Sequence, residues 1–272
     1  MSNPVLEDLA QESAALDELI ASLDPTDFAL PTPAAGWTIG HQIAHLAWAD
    51  EVAILAATDL AGFQAVFADA AASPEPGRYP DISAAAGAQA NPRDLLVRWR
   101  HARDTLHSVL GGVAAGTKLP WFGPPMSVAS MASARLMETW AHGEDIADAL
   151  RIVRPPTGRL HHVARLGVRV RNYAFTVNGD TPPDEEFRVE LAAPDKTTWV
   201  WGPAGAPQRV TGSALDFCYL ITQRRHLGDL DVIALGDTAQ RWLEIAQAFA
   251  GPPGKGRAPV GSREATGSHS GP

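Results

Sequence analysis

Cysteine is nearly missing: Cys218 is the single one in 272 residues. A lone thiol excludes an intrachain disulfide framework and a thiolate metal cluster, and a reducing cytoplasm is the expected compartment. Basic residues are in deficit, with 22 Lys and Arg against 31 Asp and Glu and a net charge of -9. Nucleic-acid affinity rests on cations that neutralise phosphates, so nucleic acid is not an expected partner. Long apolar runs are absent as well. None approaches the roughly 20 residues that cross a bilayer, and no membrane association is expected. The opening MSNPVLEDLAQESAALDEL is acidic and lacks the basic-then-apolar order of a signal peptide. What remains is 45% hydrophobic and 19% charged, the composition of a globular chain with a real core. Its length favours two domains over one.

Periodicity supplies the organisation. Residues 5–23 place Leu6, Leu9, Ala14, Leu16, Leu19, Ile20 and Leu23 at helical spacing. Thr38 is a suitable N-cap for a second helix, TIGHQIAHLAWADEVAILAA. Residues 69–92 are rich in Pro, Gly, Ala and Ser and read as a flexible loop or lid. A third helix follows Pro92 and ends at Gly111 and Gly112, and a fourth runs from about Ser127 to Leu150. Four amphipathic helices predict a bundle over residues 1–152. After RIVRPPTGRL the texture changes. A helix over about 160–175, strand-like FRVELAA and TTWVWG, and two further helices predict a smaller α+β domain over 153–250. Residues 251–272 cannot form a core and are expected to be disordered. The predicted class is therefore mainly α, with a mixed second domain.

The chemistry gathers on two of these helices. On the fourth, METWAHGEDIADAL sets Glu138 and His142 four residues apart, about 40° from each other around the axis. Asp145 shares their sector, among small and apolar side chains that mark a face turned inward. Buried charges are costly unless paired or bound to a metal. On the second helix, HQIAH repeats the four-residue spacing with His41 and His45. His45 lies a turn deeper, between Ile43, Ala44, Leu46 and Ala47. The proposed ligand set is His45, Glu138 and His142: two nitrogens and a carboxylate with a fourth position open, as in catalytic zinc sites. Iron or nickel suits the same donors. Asp145 would orient a histidine or add a ligand. The bland readings are that His41 caps a helix and His45 is a hydrogen-bonded core histidine. Glu144 and Asp148 read as solvated, and the other histidines, His101, His107, His161, His162, His226 and His269, as surface or interface residues.

GWTIGHQIAHLAWADE resembles the second-helix signature of DinB-like metal-binding four-helix bundles, with the ligand histidine at His45, and ETWAHGEDIADAL resembles their fourth-helix motif. A glutamate as first ligand there, Glu138, is similar to the mycothiol-dependent maleylpyruvate isomerase branch. GSALDFCYLITQRR resembles that branch's carboxy-terminal helix, with Arg224 at the position of its arginine and Arg225 beside it. More narrowly, RPPTGRLHHVARLGVR and ALDFCYLITQRRH look like an actinobacterial subgroup known only as metal-binding, so the isomerase's substrate does not follow. The resemblance implies a DinB-like bundle, a divalent metal, usually zinc, and a low-molecular-weight thiol such as mycothiol. It implies a small-molecule electrophile as substrate and allows a homodimer. A thiol of pKa about 8.5 is mostly protonated at neutral pH, and zinc would make it a thiolate nucleophile. Arg224 would hold a carboxylate of substrate or thiol; otherwise it is a surface arginine at a helix end. Trp48, Trp121 and Phe122 either line the pocket or pack in the core. The alternatives are a metal-water-dependent hydrolase, dehydratase or cyclase in secondary metabolism, or a non-enzymatic, metal-stabilised binding protein.

Overall fold

The computed structural model describes residues 3–261. It divides into two compact units, Met1–Pro155 and Pro156–Pro272. The first is helical. Helices α1 (Pro4–Ile20), α2 (Ile39–Thr58), α5 (Pro92–Gly112) and α6 (Val128–Leu150) form the four-helix bundle, and α3 (Leu60–Ala72) and α4 (Tyr79–Gly87) are inserted between its second and third members. A short antiparallel pair, β1 (Lys118–Leu119) and β2 (Met126–Ser127), leads into α6.

Helix α2 sits at the centre of this unit, packed against α4, α5 and α6, while α1 packs on α5 and α6. Its sequence explains the position. Ile39, Ile43, Ala44, Leu46 and Ala47 are fully buried, so the helix is apolar on nearly every side rather than on one stripe. They join Leu16, Ile20, Leu95, Trp99 and Ile146 in one core cluster. Each fully buried Leu, Ile or Phe contributes about 1.5–3 kcal/mol relative to exposure. Polar ties set the helices in register: Asp17 of α1 accepts from Arg100 at 2.6 Å and Arg103 at 2.6 Å of α5. After α6 the chain turns at Arg151 in the left-handed region, φ 58, and Arg154 folds back onto Glu144 and Glu12.

The stretch 69–92, expected to be a flexible loop, instead holds the end of α3 and all of α4. Its alanines carry no periodic signal but have the highest helix propensity. Asp59 starts α3 by accepting from the Gly62 N–H at 3.0 Å, and a proline opens α4. A Cβ on Gly87 would stand 2.8 Å from the Ala44 Cβ, so glycine is what lets α4 lie close on α2.

The second unit is α+β. Strands β3 (Phe187–Ala192), β4 (Thr198–Trp201), β5 (Gln208–Ser213) and β6 (Val232–Leu235) form a sheet in the order β4-β3-β5-β6. The β3–β5 pair is parallel and the other two pairs are antiparallel. Alternation buries Phe187, Val189 and Leu191 on one face. Helices α7 (Leu160–Arg169), α8 (Arg171–Val177), α9 (Ala214–Ile221) and α10 (Asp237–Ile245) complete the unit. The single helix expected over 160–175 is thus two, parted at Val170, where φ is -95 and ψ 11. Of the tail expected to be disordered, residues 251–261 form no helix or strand, yet the Gly251 N–H donates to the Tyr173 hydroxyl oxygen at 3.0 Å and the Val260 N–H to Asp229 at 2.9 Å. Residues 262–272, including His269, lie outside the described residues.

Candidate metal centre

Helix α2 begins with a capping box in which His41 takes the place usual for Glu or Gln. Its Nδ1 lies 2.9 Å from the Thr38 hydroxyl and 3.3 Å from the Thr38 N–H, which it accepts. Burial lowers the His41 pKa, keeping it an acceptor. One turn on, His45 points toward α6.

There it meets the other two predicted ligands. His45 Nε2 is 2.9 Å from Glu138 Oε2, and His142 Nε2 is 3.4 Å from the same oxygen. One donor atom from each residue lies within 4.8 Å of the other two, a group able to hold a metal ion. The imidazole rings are 4.6 Å apart. His45 and His142 are 10% and 12% exposed at the side chain, whereas Glu138 keeps 25%, so the group is recessed but reachable. Neither His41 nor Asp145 belongs to it; Asp145 is buried on the same helix.

A chain of hydrogen bonds decides which nitrogen of His142 faces inward. The Trp37 carbonyl can only accept, so the Thr32 hydroxyl donates to it at 3.0 Å. Thr32 Oγ1 then accepts from the Gln42 amide nitrogen at 2.8 Å. That leaves Gln42 Oε1 to accept from His142 Nδ1. A proton is therefore on Nδ1, and in the neutral ring Nε2 presents a lone pair to Glu138. A lone pair facing a carboxylate oxygen is unfavourable until a proton or a metal ion lies between them, and the second is how this donor set fits a divalent metal. Gln42 is fully buried. The corresponding outer nitrogen of His45, Nδ1, is buried without a hydrogen-bond partner.

A second buried device flanks the group. Arg135, one turn before Glu138, donates from Nε to Asp50 at 2.9 Å, with side chains only 2% and 5% exposed. Burial raises the Asp50 pKa, against the lowering effect of Arg135. Burial also pushes the Glu138 carboxyl up. Hydrogen bonds from His142 and His45, and the charges of His45 and Arg135, outweigh it and hold that carboxyl well below the usual range. Glu138 is thus an anion at neutral pH, as a ligand must be.

Other expectations fare differently. Glu144, read as solvated, is buried and accepts from Arg154 at 3.0 Å, because Gly143 leaves room for that guanidinium. Arg224 belongs to the second unit, just past α9, where it follows the left-handed Gln223 and donates from Nη1 to the Thr222 carbonyl at 2.6 Å. The Arg225 guanidinium stacks 4.7 Å over Tyr219. Burial pushes the Cys218 thiol well above its ordinary value, so it is neither a ready ligand nor a nucleophile. Gln42, Asp50 and Arg135 went unrecognised in the sequence. Their signal was present as polar residues set among the apolar positions of two inward-facing helices.

Comparison with known proteins agrees with this architecture. Residues 9–147 match the family model described as the mycothiol maleylpyruvate isomerase N-terminal domain, and residues 183–235 match one described as wyosine base formation. Two proteins from strains of Mycobacterium tuberculosis, both named only as uncharacterized, are 59% identical over 254 residues, covering 93% of this chain and 98% of each. The crystal structure of the mycothiol-dependent maleylpyruvate isomerase superposes with a TM-score of 0.58 at 17% identity. A histidine-to-alanine mutant of it gives 0.60 at 17% identity. Each covers 92% of this chain and 95% of the other. At that identity the likeness is one of fold. Among the described residues, no helix is long and apolar enough to cross a membrane.

Proposed function

The chain belongs to the family of the mycothiol maleylpyruvate isomerase N-terminal domain, and from that premise we propose that it is a divalent-metal-dependent enzyme that uses a low-molecular-weight thiol, such as mycothiol, on a small electrophilic substrate. The reading is carried by the convergence of His45, Glu138 and His142 on one point of the bundle. Two imidazoles and a carboxylate suit zinc. His45, Glu138 and His142 would hold a divalent ion, whose Lewis acidity would lower the pKa of a thiol brought to it.

The chain's own residues do the rest. Glu138 brings the negative charge that offsets a dication. Gln42 Oε1 accepts a hydrogen bond from His142 Nδ1–H and so makes Nε2, which faces Glu138, the nitrogen that would bind a metal. Arg135, held by Asp50, keeps a positive charge a turn from Glu138 and favours its ionised form. The recessed setting of the two histidines limits water around the donors and strengthens electrostatics there. Arg224 is assigned to hold a carboxylate on resemblance alone.

A thiol-trapping assay tests the reading. The full chain is incubated with mycothiol and model electrophiles, among them activated alkenes and epoxides, and products are followed by mass spectrometry. The expected result is metal-dependent adduct formation or isomerisation that requires the thiol. Turnover of the same compounds with water and no thiol would instead favour the hydrolase reading. Tightly held metal with no turnover and no exchangeable ligand would favour a binding protein.

A further inference from the structure

The three donors lie at the foot of an aromatic wall. The Trp37 indole stacks on the His142 ring at 5.7 Å and 14°, and its centroid is 5.5 Å from that of His45. Trp48 flanks His45 on another side, 6.0 Å away. From Trp48 the rings continue to Tyr79 at 6.0 Å and Phe122 at 6.1 Å, and from Phe122 to Trp121 at 5.4 Å. These five side chains are half-buried: each is fixed on one side and leaves part of itself uncovered. Trp37 is anchored by its indole N–H, which donates to Asp81 of α4 at 2.9 Å. Aromatic side chains held in this state add apolar area that loses no further freedom when a ligand covers it.

The charges of the surrounding elements point the same way. Arg78, beside Tyr79, pairs with Glu75 at 3.1 Å and Asp81 at 3.7 Å. Arg98 of α5 grips Glu51 with two bonds, at 2.7 and 2.6 Å. Arg135 holds Asp50. Each of these cations already has its carboxylate, so the wall offers rings where a dianionic ligand needs guanidinium groups.

We propose that the substrate moiety seated beside His45 and His142 is a flat, largely apolar ring, lying against Trp48 and Trp37, and not a small dicarboxylate. This rests on the reading of the histidine–glutamate group as the reactive centre and specifies what that centre acts on. The ring's faces meet indole, and its reactive substituent reaches the donors.

The test is equilibrium binding to the full chain without thiol, so that no turnover is needed. Isothermal titration is run with 2-naphthamide as the neutral flat probe and maleate as the dicarboxylate, and the metal content of each sample is measured in parallel. The expected result is that 2-naphthamide binds at least tenfold more tightly than maleate. Trp48→Ala should weaken it about tenfold, the worth of one stacked aromatic face, and Trp48→Phe should restore most of the loss. Trp199→Ala, on the sheet of the second unit, should change nothing. If 2-naphthamide binds in this pattern to protein without metal, the ring site stands and the metal reading fails. Metal-loaded protein that binds maleate as tightly as 2-naphthamide overturns the inference while leaving the metal reading intact. Equal affinity of 2-naphthamide for the wild type and Trp48→Ala overturns it as well.

Discussion

Replacing Gln42 by leucine separates an orienting role from mere packing. Leucine is close in size and keeps α2 apolar, but it removes the acceptor of the His142 Nδ1 proton and the donor to Thr32. His142 then loses the bond that fixes both its tautomer and its ring orientation. Loss of such an outer partner typically lowers metal affinity by about 10- to 100-fold, or about 1.4–2.8 kcal/mol. The global cost is separate. Gln42 is fully buried, and leaving its partners unsatisfied costs about 1–3 kcal/mol of folding stability. Competition for zinc against a chromophoric chelator measures the first quantity, and urea denaturation of the metal-free protein measures the second. Gln42→Glu keeps an acceptor toward His142 and should retain near-native affinity where leucine does not. If Gln42→Leu, shown to be folded, binds zinc within about twofold of the wild type, the hydrogen-bond chain from Trp37 does not set the donor nitrogen and the reasoning fails.

Two further outcomes follow from the buried charges. In the Asp50–Arg135 pair, Asp50→Leu or Arg135→Leu alone strands a charge and should cost about 3–5 kcal/mol. The double variant should cost clearly less than the sum, read from urea midpoints as a double-mutant cycle; strict additivity would show that the two groups do not interact. For Asp17, burial raises the carboxyl pKa, but bonds from Arg100 and Arg103 and their charges outweigh it and lower it. A depressed carboxylate stabilises above its unfolded pKa of about 3.9, and that stabilisation is lost as pH falls through the folded value. Asp17→Asn should therefore destabilise the protein by about 1.5–3 kcal/mol at pH 7, and the gap from the wild type should narrow as pH drops below 4 in chemical denaturation. A gap unchanged down to pH 2 would remove Asp17 from the account.

Much of the bundle was legible because its helices are long and periodic. Leu6, Leu9, Leu16 and Ile20 mark one face of α1, and His45, Glu138 and His142 stood out as donors on faces otherwise apolar. The inserted helices α3 and α4 were not legible. Runs such as ADAAA and ISAAAG have no polar–apolar rhythm, and their Pro and Gly neighbours read as loop, although those same residues open α4 and let it lie on α2. Strands β5 and β6 escaped notice because QRVTGS carries a single apolar residue, Val210, VIAL does not alternate, and their pairing partners are distant in sequence. Glu144 looked solvated because its partner, Arg154, lies beyond the end of the helix. The role of Gln42 depends on Thr32 and Trp37, which reach it through the connector before α2. Spacing within one helix cannot reveal a relay that crosses a turn.

The central claim is that one metal ion is held by side chains from α2 and α6. Metal content per chain, measured by elemental mass spectrometry on protein purified without an affinity tag, tests it most directly when His45→Ala, Glu138→Ala and His142→Ala are compared with the parent and with His41→Ala. Close to one divalent ion per chain is expected in the parent and in His41→Ala, with a large loss in each of the other three. A parent free of metal, or full metal retained in all three, would contradict it.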